Sequence, residues 1–464
     1  MHNEIQKLSI KEKVGYGFGD LASVLYWQTI SLYLFYFYTD VFGITAAAAG
    51  TMILISRIWD GINDTMMGII ADRTNTRWGK FRPYLLWMAV PLAIIGVFAF
   101  TTPDLSSSGK LIYAYITFNL LMMTYTAINI PYSSLLGVIT PDPIERTSVS
   151  SYKYVFAYIS GTIVSAFALP LSEFFGKGSE AAGWQITMVV FGSSAVLFFL
   201  ITFLFTKERV QPPKAQKTTI WQDLKDLFSN KPWVLLLFTT LLFILFVATR
   251  MSVTAHYFKY YVGDQQLTIF GKTHTYGFVA LTSIFNAIGQ WLAILGVIFT
   301  NFFAKKVGKK QAFLILFVTA TVSTAAFFVL KPEHLILMFV MQIIGSFSGG
   351  PLSPLIWAMY ADAADYSEWK TGRRATGLVF SASTMSQKFG WAIGTFLAGL
   401  LLSVFGFQAN VAQNVDVKNG LKSLMSIIPA AAGVVAIILI LFYKLDEKTM
   451  RQIEAELSER RMKV

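Results

Sequence analysis

Two aspartates four residues apart interrupt a hydrophobic run at about 46–70, in the stretch Arg57-Ile-Trp-Asp60-Gly-Ile-Asn63-Asp64. At helical spacing Asp60 and Asp64 share one face, and Asn63 and Arg57 fall close to it. The run is long enough to cross a bilayer. An ionised carboxylate at mid-membrane costs roughly 2.5–3.5 kcal/mol on insertion scales. Two acids and an amide on one face supply hard oxygen ligands, the kind alkali cations take. Thr126, in a later apolar run, is a candidate for one more oxygen. Repulsion between like charges also favours protonating one acid, so the pair could hold a proton in place of Na+ or Li+. The bland alternative is a structural ion pair with Arg57, but one arginine cannot neutralise two acids.

Other charged residues stand inside apolar runs. Lys388 lies within Ser383-Thr-Met-Ser-Gln387-Lys388-Phe-Gly390-Trp391 with no carboxylate near it in sequence. Its partner must come from another helix, and Asp60 and Asp64 are the expected ones. Asp20 follows Gly15-Tyr-Gly17-Phe-Gly19, where a carboxylate could accept two hydroxyl hydrogen bonds from a sugar. Lys153 could donate to the same ligand or pair with Asp20. Arg250 is a further cation within a run and, with Arg57 and Lys388, a candidate for coupling or gating. Asn129 is one of several amides within runs, each also readable as a helix–helix hydrogen bond. The aromatic residues could stack on sugar rings, but position alone assigns that role to none of them.

The elements that must place these groups are membrane helices. The chain has 464 residues, 55% hydrophobic and 14% charged, against about 25% charged in ordinary globular proteins. Apolar runs predict helices near 14–43, 46–71, 83–102, 110–138, 148–171, 184–206, 233–262, 277–304, 311–330, 334–361, 373–405 and 422–444. The fold expected is an all-α membrane protein of twelve transmembrane helices in two six-helix bundles. Residues 1–206 and 233–444 form the bundles, 207–232 a cytoplasmic middle loop and 445–464 a cytoplasmic tail. The middle loop contains Pro212-Pro213 and an amphipathic stretch at Trp221–Phe228, read as a short surface helix. Lys and Arg fall in alternate connections, which places both termini in the cytoplasm. The net charge of +12 reflects that loop bias and not nucleic-acid binding. There is no cysteine, hence no disulfide or thiolate metal site. No cleavable leader is expected, and the short tail leaves no room for a signalling domain. Walker, His-Glu-x-x-His and Gly-x-Ser-x-Gly motifs are absent, and the glycines before Asp20 follow no strand. An enzyme is therefore not expected. The halves echo each other in their basic turns, a sign of a rocking-bundle transporter.

Several motifs then resemble one family. They are Lys13-Val-Gly-Tyr16-Gly-Phe-Gly19-Asp20, Tyr36-Phe-Tyr38-Thr39-Asp40-Val-Phe-Gly43, the Arg57–Asp64 stretch, and Asp72-Arg73-Thr-Asn-Thr-Arg77-Trp-Gly79-Lys80-Phe81-Arg82-Pro83. In the second half, Trp357-Ala-Met-Tyr360-Ala-Asp362-Ala-Ala-Asp365-Tyr366-Ser-Glu368-Trp369 and Gln387-Lys388 agree. These resemble the glycoside-pentoside-hexuronide:cation symporters, the major facilitator branch that includes the melibiose permeases. The resemblance implies alternating access and uptake of a sugar coupled to Na+, Li+ or H+, with no cofactor, in a monomer at the inner membrane. It implies cation ligands at Asp60, Asn63, Asp64 and Thr126, with Asp60 and Asp64 holding any metal ion. It implies sugar contacts at Asp20 and Lys153, and a role for Lys388. Melibiose permeases carry arginine at Lys153, aspartate at Asn129, tryptophan at Ser133 and proline at Thr65. The cation residues thus match more fully than the sugar residues do. Within the same architecture, a proton-coupled carrier of an amphipathic non-sugar substrate is the rival reading; a membrane sensor or intramembrane enzyme is a more distant one.

Overall fold

A computed structural model describes residues 7–210, 227–269, 272–372 and 376–462. Among these, eight helices are long and apolar enough to cross a membrane. The chain divides into two compact units. The first comprises Met1–Lys214 with the short segments Val279–Ala287 and Gln408–Val411, and the second takes the rest.

Unit 1 begins with α1 (Ile10–Thr29), which Ser9 caps by accepting the Glu12 N–H. Its winding then loosens into two π segments, Ile30–Leu34 and Phe37–Val41, and it ends at Gly43 with φ +82°. Helix α2 (Ala46–Arg73) starts on a Thr45 cap. Next come α3 (Arg82–Trp87), α4 (Ala89–Ala99), α5 (Ser107–Val138), α6 (Pro143–Gly176) and α7 (Glu180–Phe205). The glycines before Asp20 serve packing. A Cβ at Gly17 would stand 2.6 Å from the Phe156 ring, and one at Gly19 would collide with the Tyr132 ring. Tyr132 of α5 donates its hydroxyl to the Tyr16 carbonyl at 2.9 Å, and Tyr16 returns a bond to the Tyr132 carbonyl at 3.2 Å. The two rings stack at 4.7 Å. In the first turn of α1, Glu12 takes both ends of the Arg209 guanidinium at 2.6 and 2.8 Å. Glu208 accepts the N–H groups of Lys80, Phe81 and Arg82, so a carboxylate meets the positive end of α3.

Unit 2 contains α8 (Lys231–His256), which Asn230 caps and which also runs into a π segment, Tyr257–Val262, before Gly263 at φ +67°. A β-hairpin follows, β1 (Gln265–Ile269) antiparallel to β2 (Lys272–Tyr276). The periodicity of the apolar runs gave no sign of it, because it is short and polar. Then come α9 (Phe278–Val307, of which Val279–Ala287 belongs to unit 1), α10 (Lys309–Ala326), α11 (Leu335–Gly349), α12 (Leu352–Thr371), α13 (Thr376–Val404), α14 (Val415–Met425) and α15 (Ile427–Leu441). Tyr360 of α12 donates to the Leu236 carbonyl at 3.0 Å and pairs with the Thr240 hydroxyl at 2.7 Å. Each unit thus ties its first helix to a later one through a buried tyrosine and a main-chain carbonyl.

The tail expected at 445–464 is largely a helix, α16 (Glu447–Met462). Met450, Ile453 and Leu457 are buried, one face at helical spacing. Glu456 accepts the Trp369 indole N–H at 2.6 Å. Three predicted helices are broken, at Trp87, at Gly350 and at Met425. In each case a proline four residues on, Pro91, Pro354 and Pro429, removes the N–H that would have bonded there. The surface helix expected at Trp221–Phe228 lies mostly outside the described residues, as do Arg373 and Arg374.

Candidate functional site

Helix α2 brings Arg57, Asp60 and Asp64 along one side, as their spacing requires. Asp60 is 1% exposed. Thr126 of α5 lies between the acids, its Oγ1 3.1 Å from Asp60 Oδ1 and 3.0 Å from Asp64 Oδ1. A hydroxyl has one proton to donate. It cannot give a full hydrogen bond to two carboxylates at once. A cation shared among the three oxygens would satisfy both contacts, and so would a proton on one acid. Asn63 sits half-buried beside them, and its Nδ2 is buried without a hydrogen bond among the described residues. Arg57 is buried, with Nη1 3.7 Å from Asp60 Oδ2.

Two aromatic rings that sequence reasoning gave no role complete this wall. The Arg57 guanidinium lies over the Trp27 ring at 4.7 Å, and Trp27 stacks near Tyr125 with centroids 6.2 Å apart. Cation–π contact thus helps hold a buried arginine that also pairs with Asp60. Signals were present in the sequence: Trp27 follows Asp20 by two helical turns, and Tyr125 adjoins Thr126.

The expected sugar residues gather in part. Lys153 Nζ of α6 is 3.8 Å from Asp20 Oδ1, with side chains 23% and 13% exposed. Lys153 also lies 5.9 Å from the centre of the Tyr132 ring. Both charges are thus partly accessible and pre-paired. Asn129 turns its Nδ2 back to the Tyr125 carbonyl at 3.1 Å, and Ser133 is exposed. Neither reaches the Asp20–Lys153 pair through a recorded hydrogen bond. Arg250 and Lys388 belong to unit 2. Arg250 donates to Gln342 Oε1 at 3.0 Å and to Thr324 Oγ1 at 3.4 Å, and its guanidinium lies over Phe327. Lys388 is half-buried on α13.

Comparison with known proteins agrees with this architecture. A family model described as MFS/sugar transport protein matches residues 15–447. The isoprimeverose transporter of Lactiplantibacillus pentosus is 38% identical over 441 residues, 94% of this chain and 89% of that protein. The inner membrane symporter YicJ of Escherichia coli is 35% identical, covering 97% of this chain and 95% of its own. Among solved structures, a D-xylose-proton symporter aligns with a TM-score of 0.62 at 13% identity, over 95% of this chain and 97% of that one. At that identity the likeness shows the major facilitator fold. The chain is a multi-pass membrane protein and a transporter, not an enzyme. With the family model matched over residues 15–447 and relatives 35–38% identical over most of both chains, it belongs to the glycoside-pentoside-hexuronide:cation symporter family.

Proposed function

We propose that this protein carries a sugar across the inner membrane together with a monovalent cation, by alternating access of twelve spans in two bundles. The observation that carries the reading is the Thr126 hydroxyl lying against both Asp60 and Asp64 inside a helix of membrane length. That arrangement is completed by one added positive charge, Na+, Li+ or H+. The Asp20–Lys153 pair supplies an acceptor and a donor for sugar hydroxyls. Cation binding and sugar binding then raise each other's affinity, since linkage is reciprocal. Both termini are assigned to the cytoplasm. The names of relatives, an isoprimeverose transporter and a putative glycoside/cation symporter, support a sugar or glycoside as cargo.

The test is uptake of a panel of α- and β-glycosides, pentosides and uronides into vesicles, under an imposed Na+, Li+ or proton gradient. Concentrative uptake of at least one sugar under one of these gradients is expected. Exchange of no sugar under any gradient would contradict the proposal.

A further inference from the structure

The end of α1 remote from its Ser9 cap holds an arrangement that neither the cation pair nor the sugar pair uses. Helix C-termini leave carbonyls without helical partners. Here the π winding of Phe37–Val41 sends the N–H groups of Phe42 and Gly43 back to Phe37 and Tyr38. The Asp40 carbonyl is met by Asn410, whose Nδ2 donates at 2.7 Å. The Phe42 carbonyl receives Lys110 Nζ at 3.1 Å. One π turn earlier, Asn286 Nδ2 donates to the Tyr33 hydroxyl at 3.4 Å. Both asparagines lie on the short segments, Val279–Ala287 and Gln408–Val411, by which the chain returns to unit 1 far from the rest of it in sequence. Asn410 itself adopts φ +60°, a conformation uncommon outside glycine and most tolerated by asparagine and aspartate. The loop therefore accepts a disfavoured backbone in order to present that amide. π turns inside helices recur at places that rearrange.

We propose that Asn410 and Asn286 form a releasable latch on the π-wound end of α1, closing that end until the transport cycle opens it. Each amide donates a neutral hydrogen bond, strong enough to bias a two-state equilibrium and weak enough to break. This inference rests on the alternating-access reading for its purpose, but its first readout does not.

The test uses the full chain in proteoliposomes, with Asn410→Gly, which keeps the backbone and removes the amide, and Asn286→Ala. Amide hydrogen exchange is measured for residues 30–43 against residues 14–25, with no sugar present. A rise of roughly three- to tenfold confined to 30–43 in both variants is expected, the size of losing one such bond. The sugar concentration for half-maximal uptake from the latch side should fall by a comparable factor, because the open population grows. Unchanged exchange in Asn410→Gly would overturn the latch, and so would a rise spread over the whole chain. Raised exchange with an unmoved half-saturation would also overturn it, leaving a structural tie only. Failure of the wild-type protein to take up any sugar would instead sink the transport reading, with the exchange result still standing.

Discussion

At the scale of single residues, the central group is the Thr126 hydroxyl. It sits at hydrogen-bond distance from two carboxylates and carries one proton. Thr126→Val keeps the shape and removes the oxygen. Apparent cation affinity, read from the ion dependence of sugar binding, should then fall about tenfold, the worth of roughly 1–1.5 kcal/mol. Thr126→Ser should restore most of it. An unchanged ion dependence in the valine variant would place the cation elsewhere. Asp60 and Asp64 could be found by reading because two costs coincide there, an acid in an apolar run and a second acid one turn on. Trp27 and Tyr125 escaped, since an aromatic in a membrane helix most often faces lipid or core. Only the rotation of α1 against α2 and α5 brings Trp27 over Arg57 and beside Tyr125.

At the scale of elements, the two units repeat one device, a buried tyrosine that donates to a carbonyl of the unit's first long helix. Tyr132→Phe should lower stability by about 1 kcal/mol, because the Tyr16 carbonyl loses its donor in a buried place. Tyr360→Phe should cost a similar amount in unit 2. The sites share no partner, so the double variant should show about the sum in thermal unfolding. A cost far above the sum would mean that the ties are coupled. Helix positions were legible because each apolar run is about as long as a span or longer. The interruptions were legible only in hindsight: Pro91, Pro354 and Pro429 break their helices, whereas Pro131 and Pro170 remain inside α5 and α6. Neighbouring packing decides which proline is absorbed, and one sequence does not report it. The hairpin and the docked face of α16 escaped for a related reason, since both are short and polar overall.

At the scale of the whole molecule, the acids of α2 and the Asp20–Lys153 pair lie in one unit, and Trp27 lies over Arg57 beside Tyr125. On the proposed reading, a change of charge at the acids acts first on Arg57, 3.7 Å from Asp60. The candidate cation residues come together more completely than the candidate sugar residues, because ion ligation needs few atoms at fixed spacing on one helix. Sugar recognition draws on several helices, and Asn129 and Ser133 show how their side chains can turn elsewhere. The most direct measurement compares wild type with Asp64→Asn in vesicles, following both sugar accumulation against an imposed cation gradient and sugar exchange at equilibrium. Loss of gradient-driven accumulation with exchange retained is the expected result. Normal accumulation with an unaltered ion dependence in Asp64→Asn would contradict a coupling site at Asp60, Asp64 and Thr126.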